Sequence, residues 1–353
     1  MRGVRRGNSI ESDAVSAASD SALVTGATGF IGGHLARHLL RSGWRTRVLV
    51  REPARLPADV RAIAEIAMGH LGDADSLRAA VKDVAVVFHC AANVRTWDSW
   101  QAYRDVNVSG VGNLIAAVAA ANPRLARLVH FSSVDVYGFP EQPCDEECPS
   151  PALPFAYCDT KREGEALVHS QCRREGLPYT VLRPANVIGP GSQFVARIGA
   201  ALHSGVMLTI DGGRANAGLL QVDNLSDWAL WAARTPLTVG RIYNVRDAYD
   251  VTWAEFVREL RRGIGGRGYL LDLPFALADA VGAGLETLHR VVLPTREPLL
   301  HRLLVRYFGR TCGHSAARLH AESSFVGRIG FEEAMAGSIR WFCQQRLSRA
   351  ARG

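Results

Sequence analysis

Short apolar runs alternate with longer amphipathic segments through the first half of this chain. The apolar runs, each predicted to form a buried strand, cover residues 22–25, 45–50, 64–67, 84–89, 125–132 and 180–183. The amphipathic segments, each predicted to form a helix, cover residues 30–41, 75–81, 100–121 and 157–175. Strand–helix–strand repetition is typical of parallel sheets covered by helices on both faces, so we predict an α/β fold with a doubly wound parallel sheet.

The composition excludes several classes of protein. The chain has 353 residues, is 48% hydrophobic and carries a net charge of +7. Its basic residues are spread out rather than interleaved with aromatics, so we expect no nucleic-acid partner. The seven cysteines are an odd number without a C-x-x-C pair, which predicts no metal site and a reducing, cytoplasmic location. No apolar stretch reaches the roughly 18 residues of a membrane span.

A glycine-rich loop joins the first predicted strand to the first predicted helix. Its residues are Gly26, Ala27, Thr28, Gly29, Phe30, Ile31 and Gly32. Glycines at this spacing allow a tight turn and a close approach of the backbone to a pyrophosphate, which the helix N-terminus then attracts. The loop therefore predicts a dinucleotide cofactor.

The second predicted strand ends at Val50, and Arg51 and Glu52 follow it. In dinucleotide-binding folds this position faces the adenosine ribose, where an acid favours NAD and an arginine accommodates the 2′-phosphate of NADP. Because Arg51 comes first and Arg55 is near, we expect NADP, with NAD as the open alternative.

The sequence divides into three parts. Residues 1–20 contain three arginines and no apolar core of a signal peptide, so we predict a disordered leader. Residues 21–186 and 219–246 are predicted to form the dinucleotide-binding domain, with strands at 219–222 and 241–245 returning to the sheet. Residues 187–218 and 247–346 are predicted to form a smaller, mostly helical substrate-binding lobe, in which Thr252 and Glu255 make a capping box.

Tyr157 and Lys161 form a Y-x-x-x-K unit on a predicted helix. Residues four apart share one face of a helix, so the phenol and the ammonium point the same way. A nearby cation is expected to lower the pKa of the phenol and let Tyr157 pass protons to and from a substrate oxygen. The chain has two lysines, Lys82 and Lys161, which makes this pairing informative.

Ser133 follows the fifth predicted strand, where a hydroxyl is well placed over a bound cofactor. We expect Ser133 to hold a substrate oxygen for Tyr157; the alternative is that Ser132 and Ser133 cap a turn. Asp135 is interpreted as a solvated loop carboxylate, with a role as a base as the alternative.

Together these motifs resemble an extended short-chain dehydrogenase/reductase of the NAD-dependent epimerase/dehydratase superfamily, with a Rossmann fold. The motifs that match are residues 25–32 (TGATGFIG), 89–92 (HCAA), 106–108 (VNV), 131–138 (FSSVDVYG), 157–161 (YCDTK), 182–190 (LRPANVIGP) and 330–342 (GFEEAMAGSIRWF). The resemblance implies a catalytic set of Ser133, Tyr157 and Lys161, supported by Asn107. It also implies a cofactor site formed by Gly26, Thr28, Gly29, Phe30, Ile31, Gly32, Arg51, Leu71, Ala91, Tyr157, Lys161, Pro184 and Val187.

One residue departs from the family pattern. Relatives often carry an aspartate that meets the adenine where this chain has His70, between Gly69 and Leu71. The adenine contact is therefore open, and Asp73 is not expected to replace it.

The segment before residue 107 and the Leu-rich C-terminal segment resemble the 3β-hydroxysteroid dehydrogenase-like and dihydroflavonol reductase-like branch. This branch implies an oxidoreductase that interconverts a secondary alcohol and a ketone on a steroid-like, flavonoid-like or β-keto substrate. The alternatives are a nucleotide-sugar 4-epimerase and a non-catalytic cofactor sensor. Epimerases usually carry an arginine just before the pair Val222 and Asp223, and here only Arg214 is near.

Residues 269–308 are apolar and basic, and are predicted to be helical and amphipathic. Three interpretations are open: a lid that packs on the sheet domain, an apolar wall for the substrate, or a peripheral membrane contact. A homodimer is a further open alternative for the whole chain.

Overall fold

The computed structural model describes residues 20–350. The predicted leader, residues 1–20, lies outside the described residues except for Asp20. The Asp20 carbonyl accepts a hydrogen bond from the Arg45 amide at 2.8 Å, and its carboxylate pairs with Arg234 at 2.9 Å.

The strands within the described residues follow the predicted alternation. They are β1 (Ser21–Thr25), β2 (Arg45–Val50), β3 (Glu65–Met68), β4 (Val86–His89), β5 (Arg127–Phe131), β6 (Tyr179–Pro184), β7 (Asn186–Ile188), β8 (Val206–Ile210), β9 (Leu219–Gln221), β10 (Ile242–Val245) and β11 (Tyr269–Leu273). Seven of them form one parallel sheet in the order β3-β2-β1-β4-β5-β6-β10. This order reverses between β1 and β4, as in a doubly wound Rossmann sheet, so the predicted fold class is confirmed.

The helices cover both faces of this sheet and build the C-terminal region. They are α1 (Phe30–Arg41), α2 (Ala58–Ile63), α3 (Ala74–Val81), α4 (Trp100–Arg104), α5 (Gly110–Ala121), α6 (Ala156–Arg174), α7 (Gln193–Ser204), α8 (Val222–Arg234), α9 (Trp253–Gly263), α10 (Phe275–Val292), α11 (Arg302–Gly309), α12 (Ala317–Ser323) and α13 (Phe331–Ala350). The predicted capping box is present at the start of α9, where Thr252 and Glu255 exchange side-chain and backbone hydrogen bonds.

Two apolar clusters bury the two faces of the sheet. Leu35 and Leu39 of α1 pack with Trp228 of α8 on one face. Leu114 and Val118 of α5 pack on the other face, together with residues of α3 and α6. A third cluster joins α7, α9 and α13 around Trp253 and Phe256, so the C-terminal region has a core of its own.

The predicted helix over residues 100–121 is interrupted. A π turn at Asp105–Ser109 separates α4 from α5. It lies where α6 approaches closely: a Cβ added at Gly164 would sit 2.2 Å from the Asn107 carbonyl oxygen. The extra residue in this turn is a tertiary feature that helical periodicity does not reveal.

Two predictions for the second half of the chain were wrong. Residues 219–222 do not return to the main sheet, because β9 pairs with β7, which directly follows β6. Residues 269–273 form the strand β11 beside β8, within a region predicted to be helical. Pairing with β8 and the helix-breaking Pro274 account for this strand.

Candidate active site

The carboxyl ends of β1 and β4 meet at the point where the strand order reverses. Gly26 follows β1 with φ of +75°, and a Cβ there would lie 2.7 Å from the amide nitrogen of Ala91, which follows β4. The Ala91 amide donates to Thr25 Oγ1 at 3.2 Å. Only glycine fits this conformation and this contact, so Gly26 allows the loop after β1 to pass close to the backbone after β4.

The rest of the glycine loop leads into the N-terminus of α1. Thr28 and Gly29 are exposed, Phe30 and Ile31 are half-buried, and a Cβ at Gly32 would lie 2.4 Å from the Gly26 carbonyl oxygen. Among the described residues no side chain caps this helix, and its first turn holds no acid. Its amides and positive dipole end are therefore free to meet a pyrophosphate, and a dinucleotide fits this loop.

The other predicted cofactor residues lie at the same edge of the sheet. Arg51 is exposed after β2, Leu71 is half-buried after β3, Pro184 ends β6, and Val187 is half-buried in β7. This placement is where ligands bind in open parallel sheets.

Neither residue near the predicted adenine position offers the family's aspartate contact. His70 is exposed, and its Nδ1 accepts a hydrogen bond from the Gly72 amide at 3.1 Å. The Asp73 carboxylate caps α3 by accepting from the amides of Asp75 and Ser76.

Ser133 begins a short 3-10 turn directly after β5 and is buried. Its hydroxyl donates to Asp135 Oδ2 at 2.6 Å and accepts from the Asp135 amide at 3.2 Å. Burial raises the pKa of Asp135, although Ser133 and Tyr307 both donate to its carboxylate. The interpretation of Asp135 as a solvated carboxylate is therefore wrong, because the turn folds its side chain back onto Ser133.

Tyr157 and Lys161 lie one turn apart on α6, as predicted. The Lys161 ammonium donates to the Phe131 carbonyl at 2.6 Å. Burial, and then the charge of Asp135, raises the pKa of Tyr157 well above its ordinary value, against the lowering effect of its interaction with the Ser133 hydroxyl. The prediction that the pKa of Tyr157 is lowered is therefore wrong, because the effect of burial on this pKa outweighs that of a nearby cation.

Asn107 lies in the π turn and is 3% exposed. Its Oδ1 accepts from the Asn93 amide at 2.8 Å, and its Nδ2 donates to the Asn93 carbonyl at 3.1 Å and to Thr160 Oγ1 at 3.2 Å. Since Thr160 precedes Lys161, Asn107 ties α6 to the segment after β4.

Sequence reasoning missed Tyr307, on α11. Its hydroxyl donates to Asp135 Oδ2 at 2.9 Å, and its ring packs edge-on against Phe139 with 5.3 Å between centroids. No local motif marks this tyrosine, because its contact with Asp135 joins residues 172 positions apart.

A cleft opens beside the Tyr157 ring. It is lined by Thr96, Trp97, Asp98, Tyr103, Pro154, Phe155, Ala156, Tyr157, Glu286, Arg290, His301 and Leu303. Arg290 is the one Lys or Arg among these described lining residues; it pairs with Glu286 at 2.9 Å and lies over the Trp97 ring. The cleft thus combines aromatic and aliphatic surface with the polar side chains of Asp98 and His301, and its guanidinium already has a carboxylate partner.

A buried ion pair supports α6 beneath the site. Arg183 of β6 donates to both carboxylate oxygens of Glu165, at 2.5 and 3.1 Å, and to the Tyr137 hydroxyl at 2.6 Å. Burial opposes ionisation of Glu165, but hydrogen bonds from His169 and Arg183 hold its pKa at about 2. This pair fixes the helix that carries Tyr157 and Lys161.

Five apolar residues of α10 are exposed and do not line the cleft. Leu277, Val281, Leu288, Val291 and Val292 are exposed and recur at helical spacing. Of residues 269–308, Glu286, Arg290, His301 and Leu303 line the cleft instead. No helix among residues 20–350 combines the length and the hydropathy that a bilayer crossing requires.

Comparison with known proteins gives a family and several relatives. The model of the NAD dependent epimerase/dehydratase family matches residues 22–245. A 4-hydroxy-2-methyl-3-oxo-4-farnesyl-3,4-dihydroquinoline-1-oxide ketoreductase of Stigmatella aurantiaca is 29% identical over 88% of this chain and 93% of its own. A 2-alkyl-3-oxoalkanoate reductase of Stenotrophomonas maltophilia is 27% identical, over 89% and 96%.

A nucleotide-sugar enzyme is also similar. A UDP-glucose 4-epimerase of Vibrio cholerae is 27% identical over 79% of this chain and 89% of its own.

The crystal structure of gox2253 superposes with a TM-score of 0.76 and 26% identity, covering 92% of this chain and 98% of that one.

Proposed function

The chain belongs to the NAD dependent epimerase/dehydratase family, and on that premise we propose that it is an NADP(H)-preferring reductase of apolar ketones. The substrate class is a steroid-like, flavonoid-like or β-keto compound, which the enzyme interconverts with the secondary alcohol. In this proposal residues 21–186 and 219–246 form the dinucleotide-binding domain. Residues 187–218 and 247–346 form the substrate-binding lobe, which completes the cleft together with residues 96–103 and 154–157 of the first domain.

The observation that carries this proposal is the lining of the cleft beside Tyr157. Trp97, Tyr103, Phe155 and Leu303 offer apolar surface, and burying each methylene of a substrate there is worth about 0.8 kcal/mol. A substrate with two phosphates needs charged groups that are free to meet them. Arg290 is already paired with Glu286, which favours an uncharged substrate.

Tyr157 is the acid of the proposed reaction. Its raised pKa keeps the phenol protonated at neutral pH, so it can donate a proton to a ketone oxygen. Ser133 holds that oxygen, Lys161 holds the cofactor ribose and Asn107 keeps α6 in place. A bound nicotinamide would supply or accept the hydride at the carbinol carbon. Two relatives that are named as reductases of keto compounds support this assignment.

Arg51 supports the preference for NADP. It is exposed directly after β2, whereas the neighbouring Glu52 is paired with Arg55 at 3.8 Å. A guanidinium with no ion-pair partner among the described residues suits a 2′-phosphate at this position.

The second candidate is a nucleotide-sugar 4-epimerase, which the similarity to the Vibrio cholerae enzyme favours. It would need a cation for the diphosphate, and Arg214 is not among the described residues that line the cleft. A non-catalytic sensor is less well supported, since Ser133, Tyr157 and Lys161 are all present.

A side-by-side turnover screen tests the proposal. Apolar β-keto compounds, steroid ketones and flavonoid ketones are incubated with NADPH, and UDP- and dTDP-sugars with NAD. We expect consumption of NADPH with at least one apolar ketone. Epimerisation of a nucleotide sugar without net cofactor consumption would overturn the proposal.

The exposed face of α10 supports a peripheral membrane contact. Every acid of residues 269–308 is bonded within the protein: Asp272 to Thr209, Asp279 to Arg306, Glu286 to Arg290 and Arg302, and Glu297 to Arg197. Among the described residues, Arg267, which precedes α10 in the sequence, and Arg296, which follows it, form no ion pair with a carboxylate. An exposed apolar helix face, on a helix with such an arginine before and after it in the sequence, suits an anionic lipid surface, from which an apolar substrate would enter.

A further inference from the structure

Two hydroxyls from distant parts of the chain donate to one carboxylate oxygen. Ser133, after β5, lies 2.6 Å from Asp135 Oδ2, and Tyr307, on α11, lies 2.9 Å from the same atom. Two donors on one oxygen favour the ionised carboxylate and point both protons at it. In this state Ser133 cannot donate the same proton to a substrate.

The position of Tyr307 is fixed by packing. Its ring lies against Phe139 and within a cluster that contains Phe155, Cys158 and Leu303. Leu303 also lines the cleft beside Tyr157, so α11 contributes both to the substrate cleft and to the contact with Asp135.

The ionisable groups around Asp135 come from three elements. They are Tyr157, Cys158 and Lys161 on α6, Tyr307 on α11, and Cys312 in the loop after α11. Lys161 is the one group of positive charge in this described set. It favours the ionised Asp135, while burial favours the neutral acid.

Whether the Ser133 hydroxyl donates a hydrogen bond to the substrate or accepts one depends on whether Asp135 is protonated. When Asp135 is ionised, Ser133 donates to it, and the serine oxygen is left to accept from the hydroxyl of an alcohol substrate. When Asp135 is protonated, it can donate to the serine oxygen, and the Ser133 proton is then free for a ketone oxygen.

We propose that Asp135, held by Tyr307, is a positioning residue that sets whether Ser133 donates to a ketone or accepts from an alcohol. This inference rests on the proposed ketone–alcohol chemistry. Tyr307 thereby gives the C-terminal region a direct role in the catalytic geometry. No proton leaves the Ser133–Asp135–Tyr307 set for the substrate, because Tyr157 remains the acid.

The test compares kcat/KM for ketone reduction against pH in the full-length protein and three variants. In the wild type we expect kcat/KM to fall as pH rises through the titration of Asp135. Asp135→Asn cannot titrate, so its kcat/KM should not show this decrease with pH. Tyr307→Phe removes one hydrogen-bond donor from the Asp135 carboxylate and makes its charged form less favourable. The decrease in kcat/KM should therefore occur at higher pH than in the wild type. Tyr269→Phe, at a position 79% exposed, is the matched control and should keep the wild-type profile.

Wild-type pH profiles in both Asp135→Asn and Tyr307→Phe, with reduction intact, would overturn the inference and leave the proposed function standing. If the wild type reduces no ketone at any pH, the proposed function fails and the inference fails with it, an outcome distinct from unchanged pH profiles in variants that still reduce the ketone.

Discussion

The ammonium of Lys161 donates to the carbonyl oxygen of Phe131 at 2.6 Å. This contact anchors the side chain under the carboxyl end of β5, close to the turn that begins at Ser133. Burial lowers the pKa of Lys161 to about 8, against the opposing charge of Glu165. Lys161 is thus held at the carboxyl end of β5, one helical turn from Tyr157.

Tyr157→Phe tests whether Tyr157 is the acid of the reaction. The change removes the transferable proton and leaves the ring, so the fold and cofactor binding should persist while turnover falls by about 10²–10⁴-fold. Steady-state rates and NADPH titration measure the two effects. Ser133→Ala should lose less, and Tyr269→Phe should lose nothing. A Tyr157→Phe protein that kept more than about a tenth of its activity would show that another group is the acid.

Arg51→Ala tests the cofactor preference. If Arg51 meets a 2′-phosphate, NADPH binding should weaken by about 1.5–3 kcal/mol, the range of a charge-assisted hydrogen bond. NADH binding should barely change. Calorimetric titration of both cofactors is the measurement, and Arg124→Ala, exposed before the start of β5, is the charge-matched control. Equal losses for the two cofactors would reject the assignment.

Glu165→Ala tests the ion pair beneath α6. It leaves Arg183 buried without its carboxylate, and we expect the free energy of unfolding to fall by about 3–5 kcal/mol. The wild type should lose stability as pH falls below the ordinary Glu pKa of 4.5 toward about 2, since the folded pKa is depressed. Chemical denaturation between pH 3 and pH 7 measures both effects. A wild-type stability that does not change across this range would contradict the role given to the pair.

Much of the site could be predicted from local sequence. The glycine loop, Tyr157, Lys161 and Ser133 lie where strand and helix periodicity and short motifs put them, because each depends on residues a few positions apart. The π turn around Asn107, the burial of Asp135 and the contact with Tyr307 depend on packing between distant segments. Their sequence signals are weak. Only the glycine at position 164, where the Asn107 carbonyl approaches α6 closely, hints at the π turn.

A vesicle-binding assay tests the exposed face of α10. Leu277, Val281, Leu288 and Val291 are changed together to serine, and sedimentation with phosphatidylglycerol–phosphatidylcholine vesicles is measured. The wild type should bind these vesicles more tightly than pure phosphatidylcholine, and the variant should lose this binding. Leu237→Ser with Val239→Ser, at exposed apolar positions elsewhere, is the control. If the variant instead abolishes a dimer seen by sedimentation velocity, the face belongs to a second copy of the chain.

The fate of the hydride tests the central claim most directly. The enzyme is incubated with an apolar ketone and NADPH in which both hydrogens at the nicotinamide C4 are deuterium, and the product is analysed by mass spectrometry. We predict an alcohol with one deuterium at the carbinol carbon, formed in equal amount to the NADPH consumed. Unlabelled product, or epimerised nucleotide sugar with no loss of NADPH, would contradict the account.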